Sequence, residues 1–126
     1  MDCLNDLNVS EVTTRTVSFI EALRAHGHPT TAIILTEGTP TPGDWLSRSI
    51  SDDWSYPARA ALRTAYEAID DTNLYYVAAE DLFKFAPDPL VNPTVCGEHP
   101  ADLGQYLVAD FYVRLLSRII GDRVSH

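Results

Sequence analysis

Apolar residues in this chain follow two patterns: helical spacing, and short unbroken runs. Three stretches have helical spacing, carried by Val12, Thr16, Phe19, Ile20 and Leu23; by Ala60, Ala61, Leu62, Ala65, Tyr66 and Ile69; and by Leu103, Leu107, Phe111, Leu115 and Ile119. Two unbroken runs, residues 31–36 and 74–79, are typical of buried strands in a parallel sheet. The alternation of helices and strands predicts an α/β fold with a small parallel sheet flanked by helices.

The ends of the predicted helices carry recognisable signals. Ser10 is a suitable N-cap for the first helix, and Gly27 followed by Pro29 ends it near His26. Tyr56 and Pro57 open the second helix, and Gly121 closes the third. The third helix is also apolar at Val108, Tyr112 and Leu116, so we expect its burial on more than one side.

Two connections are predicted to be irregular. Residues 39–56 form a long loop rich in proline and hydroxyl residues, in which Trp45 and Trp54 form a lid, a partner surface or a contact with the core. Residues 84–98 form a proline-rich loop that leads to His99. Glu80 and Asp81 follow the second strand, and we interpret them as a solvated turn rather than as part of a binding crevice.

Composition limits the classes of function. The 126 residues predict a single domain over residues 1–126, and 18 acidic against 9 basic residues give a net charge of −9. This charge argues against nucleic acid or an anionic membrane as a partner. No 18-residue apolar run and no signal-peptide pattern is visible, so we expect a cytoplasmic protein. Cys3 and Cys96 are expected to be free thiols, and no residue spacing indicates a metal or a cofactor.

The stretch from Thr94 to Tyr106 carries the candidate chemistry. His99 is the candidate general base, since Pro100 stiffens the chain after it and Asp102 stands near the start of a helix. Cys96 is a rival nucleophile that could pair with His99. His26 and His28, in contrast, are interpreted as residues that cap a helix end.

Gly97 to Gly104 resembles the Asp-Gly-x-His-Pro-x-Asp-x-Gly block of the SGNH (GDSL-type) esterases and lipases. Residues 58–83 are similar to the penultimate helix and last strand of one bacterial branch of that family. Residues 2–4, 11–24 and 33–37 resemble the segment that follows its third strand. The resemblance implies a partial three-layer, SGNH-like or flavodoxin-like unit that corresponds to the C-terminal portion of a family domain.

The same resemblance assigns roles to three positions, of which two depart from the family pattern. His99 takes the place of the general base. Cys96 stands where the family has the aspartate that orients the histidine, and a neutral thiol cannot stabilise an imidazolium as a carboxylate does. Asp6 stands where the family has an oxyanion-binding asparagine, and a carboxylate would repel that oxyanion. The Gly-Asp-Ser block of the nucleophile has no counterpart. Gly43 and Asp44 resemble its first two residues, but Trp45 stands where the serine is required.

These departures lead to two functional hypotheses. The favoured one is a degenerate or truncated relative without esterase activity of its own, which acts as an oligomeric binding domain. A homodimer is the preferred way to cover the exposed apolar edges of a two-stranded sheet; the alternatives are a third strand from the N-terminal residues, or a chain that is a piece of a larger protein. The alternative is an ester hydrolase in which His99 is the base and a partner chain or an upstream segment supplies the nucleophile.

Overall fold

The computed structural model describes residues 7–39, 55–86, 93–95 and 99–124, which fall into two compact units. The first unit contains described residues 7–38 and 55–77, and the second contains residues 78–86, 93–95 and 99–124, together with Thr39. The predicted loop with Trp45 and Trp54 lies outside the described residues, as do Cys96 and Asp6.

Helix α1 spans Val9–Ala25, and its N-cap is Asn8. The Asn8 side chain accepts the backbone N–H of Glu11 at 3.0 Å, and the Glu11 carboxylate accepts the backbone N–H of Asn8 at 3.2 Å. This reciprocal pair is a capping box. The predicted N-cap Ser10 is therefore wrong by two residues, because Asn8 satisfies the first free N–H groups earlier in the chain.

The end of α1 agrees with the prediction. Gly27 has a φ of 100°, a conformation that residues with a side chain rarely adopt, and the backbone N–H of His28 bonds back to the Leu23 carbonyl at 3.2 Å. The ring Nδ1 of His26 lies 2.8 Å from the Ala22 carbonyl, so His26 contacts the helix end. The Arg24 guanidinium donates to the carbonyls of His28 and Thr31, which ties α1 to the chain that enters the sheet.

The sheet of the first unit has two parallel strands, β1 (Ile33–Thr36) and β2 (Leu74–Val77), with Ile33 opposite Leu74 and Thr36 opposite Val77. Helix α2 (Ser55–Glu67) lies between them in the chain and packs against α1. The core of this unit is formed by side chains from both helices and both strands: Val12, Ile20, Leu35, Ala58, Ala61, Leu62 and Leu74. Phe19, predicted in the buried stripe, is 56% exposed, because the buried positions of α1 are Val12, Thr16 and Ile20.

The second unit begins with a short 3₁₀ helix, Ala79–Asp81, and continues with two short antiparallel strands. These are β3 (Thr94–Val95) and β4 (His99–Pro100), so the predicted irregular loop 84–98 contains a strand. Helix α3 then spans Asp102–Val124 and buries Leu107, Phe111 and Ile119. Gly121 does not close α3, because it has no positive φ and the helix continues three residues beyond it.

Helices around a parallel sheet confirm the predicted α/β class. The stripe of α3 is only partly as predicted. Leu103 and Leu115 are half-buried, and Leu116 is 42% exposed. Apolar residues on two sides of α3 thus have different environments, since one side is buried and the other faces solvent.

Candidate functional site

His99 is held at the start of the last helix by a two-stranded ladder. It pairs with Val95, and Pro100 pairs with Thr94. Only Ala101 separates β4 from Asp102, the first residue of α3. The ladder holds the backbone of His99, and a helix begins two residues after Pro100. The backbone that carries the imidazole is therefore held by hydrogen bonds on both sides.

A second set of backbone bonds strengthens this junction. The Pro93 carbonyl accepts the N–H of Ala101 at 2.8 Å, and the Ala101 carbonyl accepts the N–H of Gln105 at 2.8 Å, which starts the helical ladder. Pro93 is buried, whereas His99 is exposed. An exposed ring on a tied backbone can exchange protons with a group that approaches from outside, as a general base must.

The other predicted site residues belong to different parts of the chain from the described junction at His99. Cys96, at the position of the orienting acid, and Asp6, at the oxyanion position, lie outside the described residues. Their roles remain predictions. Glu80 is exposed, and Asp81 forms an ion pair with Lys84 at 3.1 Å, in line with the interpretation of a solvated turn.

A buried charged cluster at the carboxyl end of the parallel sheet was missed by the sequence analysis. The carboxylate of Glu37, only 4% exposed, follows β1 directly and accepts a short hydrogen bond from the Tyr76 hydroxyl of β2. Arg63 of α2 donates to the same carboxylate oxygen at 3.1 Å, and its guanidinium lies 5.3 Å from the centre of the Tyr76 ring. We call Glu37, Tyr76 and Arg63 the carboxyl-end cluster.

The electrostatics of this cluster follow from burial and hydrogen bonding. Burial, followed by the hydrogen bond to Glu37, raises the pKa of Tyr76, so its hydroxyl stays a donor. Hydrogen bonds with Tyr76 and Glu37 raise the pKa of Arg63, which stays charged. The Arg63 side chain is 49% exposed, so the cluster reaches solvent through a permanent cation.

One signal in the sequence could have found this cluster. Glu37 stands immediately after an unbroken apolar strand, at the end of a parallel sheet where α/β proteins place binding crevices. The partners Tyr76 and Arg63 come from later elements, and no local pattern connects them with Glu37. Among the described residues, no group of three or more histidine, cysteine or acidic side chains is arranged to hold a metal ion. In the same part of the chain, every helix is too short or too polar to cross a membrane.

This fold and the histidine junction agree with one known protein family. The model of the GDSL-like Lipase/Acylhydrolase family matches residues 1–117. The chain therefore belongs to the GDSL-like lipase/acylhydrolase family, which confirms the resemblance inferred from the Gly97 to Gly104 block. None of the curated proteins matches this chain.

Two solved structures are similar to it. One is a protein of Bacteroides ovatus ATCC 8483 described as a GDSL-like lipase, with 26% identity and a TM-score of 0.72 over 95% of this chain. The other is the salicylyl-acyltransferase of a tetracycline biosynthetic pathway, with 19% identity and a TM-score of 0.64 over 88% of this chain, a likeness that extends to the fold alone. The chain spans 35% and 33% of the lengths of these two proteins.

Proposed function

We propose that this chain supplies the histidine-bearing part of an acyl hydrolase site that acts on esters, with His99 as the general base. The observation that carries the proposal is the placement of His99, exposed on a tied backbone at the start of α3, in a chain that matches the GDSL-like family model over residues 1–117.

In the proposed reaction, His99 takes the proton of a serine hydroxyl as the oxygen attacks the ester carbonyl. The protonated imidazole then gives this proton to the departing alkoxide, which leaves an acyl-serine. In the second half, His99 takes a proton from water, the hydroxide attacks the acyl group, and the serine regains its proton. The serine comes from a segment with a Gly-Asp-Ser block, which the 126 residues do not contain.

The residue at position 96 limits the rate of this reaction. Removal of the orienting carboxylate in a serine triad lowers kcat by about 10⁴, because the imidazole is no longer held in the correct tautomer. A thiol at Cys96 cannot replace that carboxylate. We therefore propose that the chain alone does not hydrolyse esters, and that a complemented site is slow unless position 96 carries an acid.

The test is a complementation assay with p-nitrophenyl acetate. The purified chain is measured alone and after co-expression with the Gly-Asp-Ser-bearing portion of the Bacteroides ovatus relative. Hydrolysis is expected only in the complemented sample, with a loss of up to about 100-fold on His99→Ala, because triad losses do not add, and a gain on Cys96→Asp. His26→Ala is the matched control, since His26 lies at the end of α1. Hydrolysis that survives His99→Ala would refute the proposal.

A second candidate function, an interaction domain without hydrolase activity, is favoured by one side of α3. Four apolar side chains on this side are exposed: Tyr106 (67%), Val113 (63%), Leu116 (42%) and Ile120 (58%). Their helical spacing places them along one stripe of α3. Such a stripe is suited to pairing with the same stripe of a second copy.

Light scattering distinguishes this candidate. At micromolar protein concentrations, the wild type is expected to be a homodimer. The double variant Val113→Lys, Leu116→Lys, which places charges on the stripe, is expected to be a monomer. Ser117→Lys, which adds a charge to α3 without replacing an apolar residue, is the control. A wild-type protein that remains monomeric at these concentrations would exclude the homodimer.

A further inference from the structure

The contact between α3 and the chain at Pro93 leaves no room for a side chain at position 104. Gly104 is buried in the first turns of α3. A Cβ at this position would overlap the carbonyl oxygen of Pro93 and would lie 3.2 Å from its carbonyl carbon and 3.0 Å from the Pro100 Cβ. The nearest obstacle is backbone, which cannot move aside as the end of a flexible side chain can.

The same Pro93 carbonyl also accepts the N–H of Ala101 at 2.8 Å. One carbonyl group therefore contacts the chain two residues after His99 and the helix five residues after it. Pro93, which precedes β3, and Pro100, which follows His99, are both prolines, and their rings fix the backbone angle φ. Thr94, next to Pro93, pairs with Pro100, next to His99. Pro93, Pro100, Ala101 and Gly104 thus form a stiff joint that sets the distance between α3 and the strand that carries His99.

We propose that Gly104 is a positioning residue for His99. Because it has no side chain, α3 can approach Pro93 closely, and this approach keeps the β3–β4 ladder and the His99 backbone in one arrangement. A methyl group at position 104 separates α3 from Pro93, breaks the bond from Ala101 and lets the histidine turn away. The proposal rests on the proposed role of His99 as the base, but the geometry that it predicts can be measured without catalysis.

The experiment compares Gly104→Ala with Gly121→Ala. Both changes introduce the same methyl group into α3, and a Cβ at position 121 would meet no atom within 4 Å. Alanine has the higher helix propensity, so any loss specific to Gly104→Ala comes from the joint. The readouts are amide hydrogen exchange at Ala101 and the imidazole Cε1–H signal of His99, assigned with His99→Gln. His26 and His28, in the first unit, serve as internal references.

In Gly104→Ala, we expect exchange at Ala101 to become about tenfold faster or more, as loss of one hydrogen bond predicts. The His99 signal is expected to shift while those of His26 and His28 stay in place, and Gly121→Ala is expected to match the wild type. An unchanged His99 signal and unchanged protection of Ala101 in a folded Gly104→Ala protein would overturn the proposal.

If Gly104→Ala does not fold, the wild-type protein decides. Ala101 must then exchange as slowly as the amides in the middle of α3, and rapid exchange there would contradict a stiff joint. In the complemented hydrolase, Gly104→Ala is expected to lower kcat about tenfold, less than His99→Ala does, with little change in KM, because misplacement of a catalytic group affects the transition state more than substrate binding. Absence of hydrolysis in the complemented wild type would contradict the proposed function. The positioning role of Gly104 would then be tested by hydrogen exchange and NMR alone.

Discussion

The two ends of the β1–β2 sheet are each closed by an arginine and a carboxylate, yet they are built differently. At the amino end, Arg24 and Asp71 lie 2.7 Å apart with side chains only 18% and 14% exposed. At the carboxyl end, Glu37 is buried, but its partner Arg63 is 49% exposed. The amino end is thus shielded on both sides of its ion pair, whereas the carboxyl end presents a cation to solvent.

The bonding partners at the two ends differ as well. Arg24 also donates to two backbone carbonyls, and Asp71 accepts the backbone N–H of Asn73 at 2.8 Å, so this pair ties together three segments of the backbone. Glu37 accepts hydrogen bonds from side chains that include the Tyr76 hydroxyl and the Arg63 guanidinium. We infer that the amino end serves stability, and that the carboxyl end, where sheets of this class bind ligands, can exchange partners more easily.

The largest effect is expected from Arg24→Met, which keeps the length of the side chain and removes its charge. Asp71 would be left as a half-buried carboxylate without its cation, and the carbonyls of His28 and Thr31 would lose the Arg24 donor, which together cost about 3 kcal/mol of unfolding free energy. Urea denaturation measures this cost. Arg15→Met is the control, since Arg15 forms an exposed pair with Glu11 and should contribute less than about 0.5 kcal/mol. Equal losses in the two variants would remove the basis of the comparison.

A smaller effect is expected from Tyr76→Phe at the carboxyl end. The change removes the Tyr76 hydroxyl as a donor to the buried Glu37 carboxylate, which costs about 1–2 kcal/mol. Tyr75→Phe is the matched control, because it removes the same hydroxyl from the neighbouring position of β2. If Tyr76→Phe were as stable as Tyr75→Phe in urea, the Glu37 bond would have no net value.

Arg63→Gln is expected to cost about 0.5–1 kcal/mol, less than Arg24→Met, because half of the Arg63 side chain is already in water and the Glu37 carboxylate keeps the hydrogen bond from Tyr76. The measurement is again urea denaturation, at low salt and at 0.5 M NaCl, where the Debye length is about 4 Å. The loss should shrink at high salt for Arg63→Gln and persist for Arg24→Met. Salt sensitivity that is the same at both ends would contradict the difference in exposure.

The pH dependence of stability offers a further contrast. The hydrogen bond from Arg24 lowers the pKa of Asp71 below its ordinary value of 3.8 in the folded state. The unfolded chain therefore binds this proton first, so the stabilisation is present above pH 3.8 and is lost as the pH falls through the folded pKa. When the pH is lowered below 3.8, the unfolding free energy of Asp71→Asn, measured by urea denaturation, should therefore fall less than that of the wild type. At the other end, the raised pKa of Tyr76 means that its contribution is present below pH 10 and lost only in stronger alkali.

Local patterns were sufficient for the elements but not for all of their limits. Both strands of the parallel sheet and all three helices named from the spacing of apolar residues are present in the described residues. Asn8 replaced Ser10 as the N-cap, because these two polar residues on either side of Val9 are equally suitable by type and only the hydrogen bonds select one. The β3–β4 ladder was missed, since two-residue strands carry no periodicity.

The candidate site divides in the same way. His99 could be recognised from the Gly97 to Gly104 block, because the residue types of a catalytic loop are written along a continuous stretch. The carboxyl-end cluster could not be recognised, since Glu37, Arg63 and Tyr76 are 26 and 13 residues apart in the chain and meet only when α2 packs beside the sheet.

The sequence by itself determined the α/β class, the family and the position of the candidate base, because hydrophobic periodicity and a short motif are local properties. The tertiary structure alone decided which polar residues are buried together, which side of α3 faces solvent, and why position 104 must be glycine. These properties depend on how closely distant segments approach one another, and a Cβ that overlaps a carbonyl oxygen has no signature in the neighbouring residues.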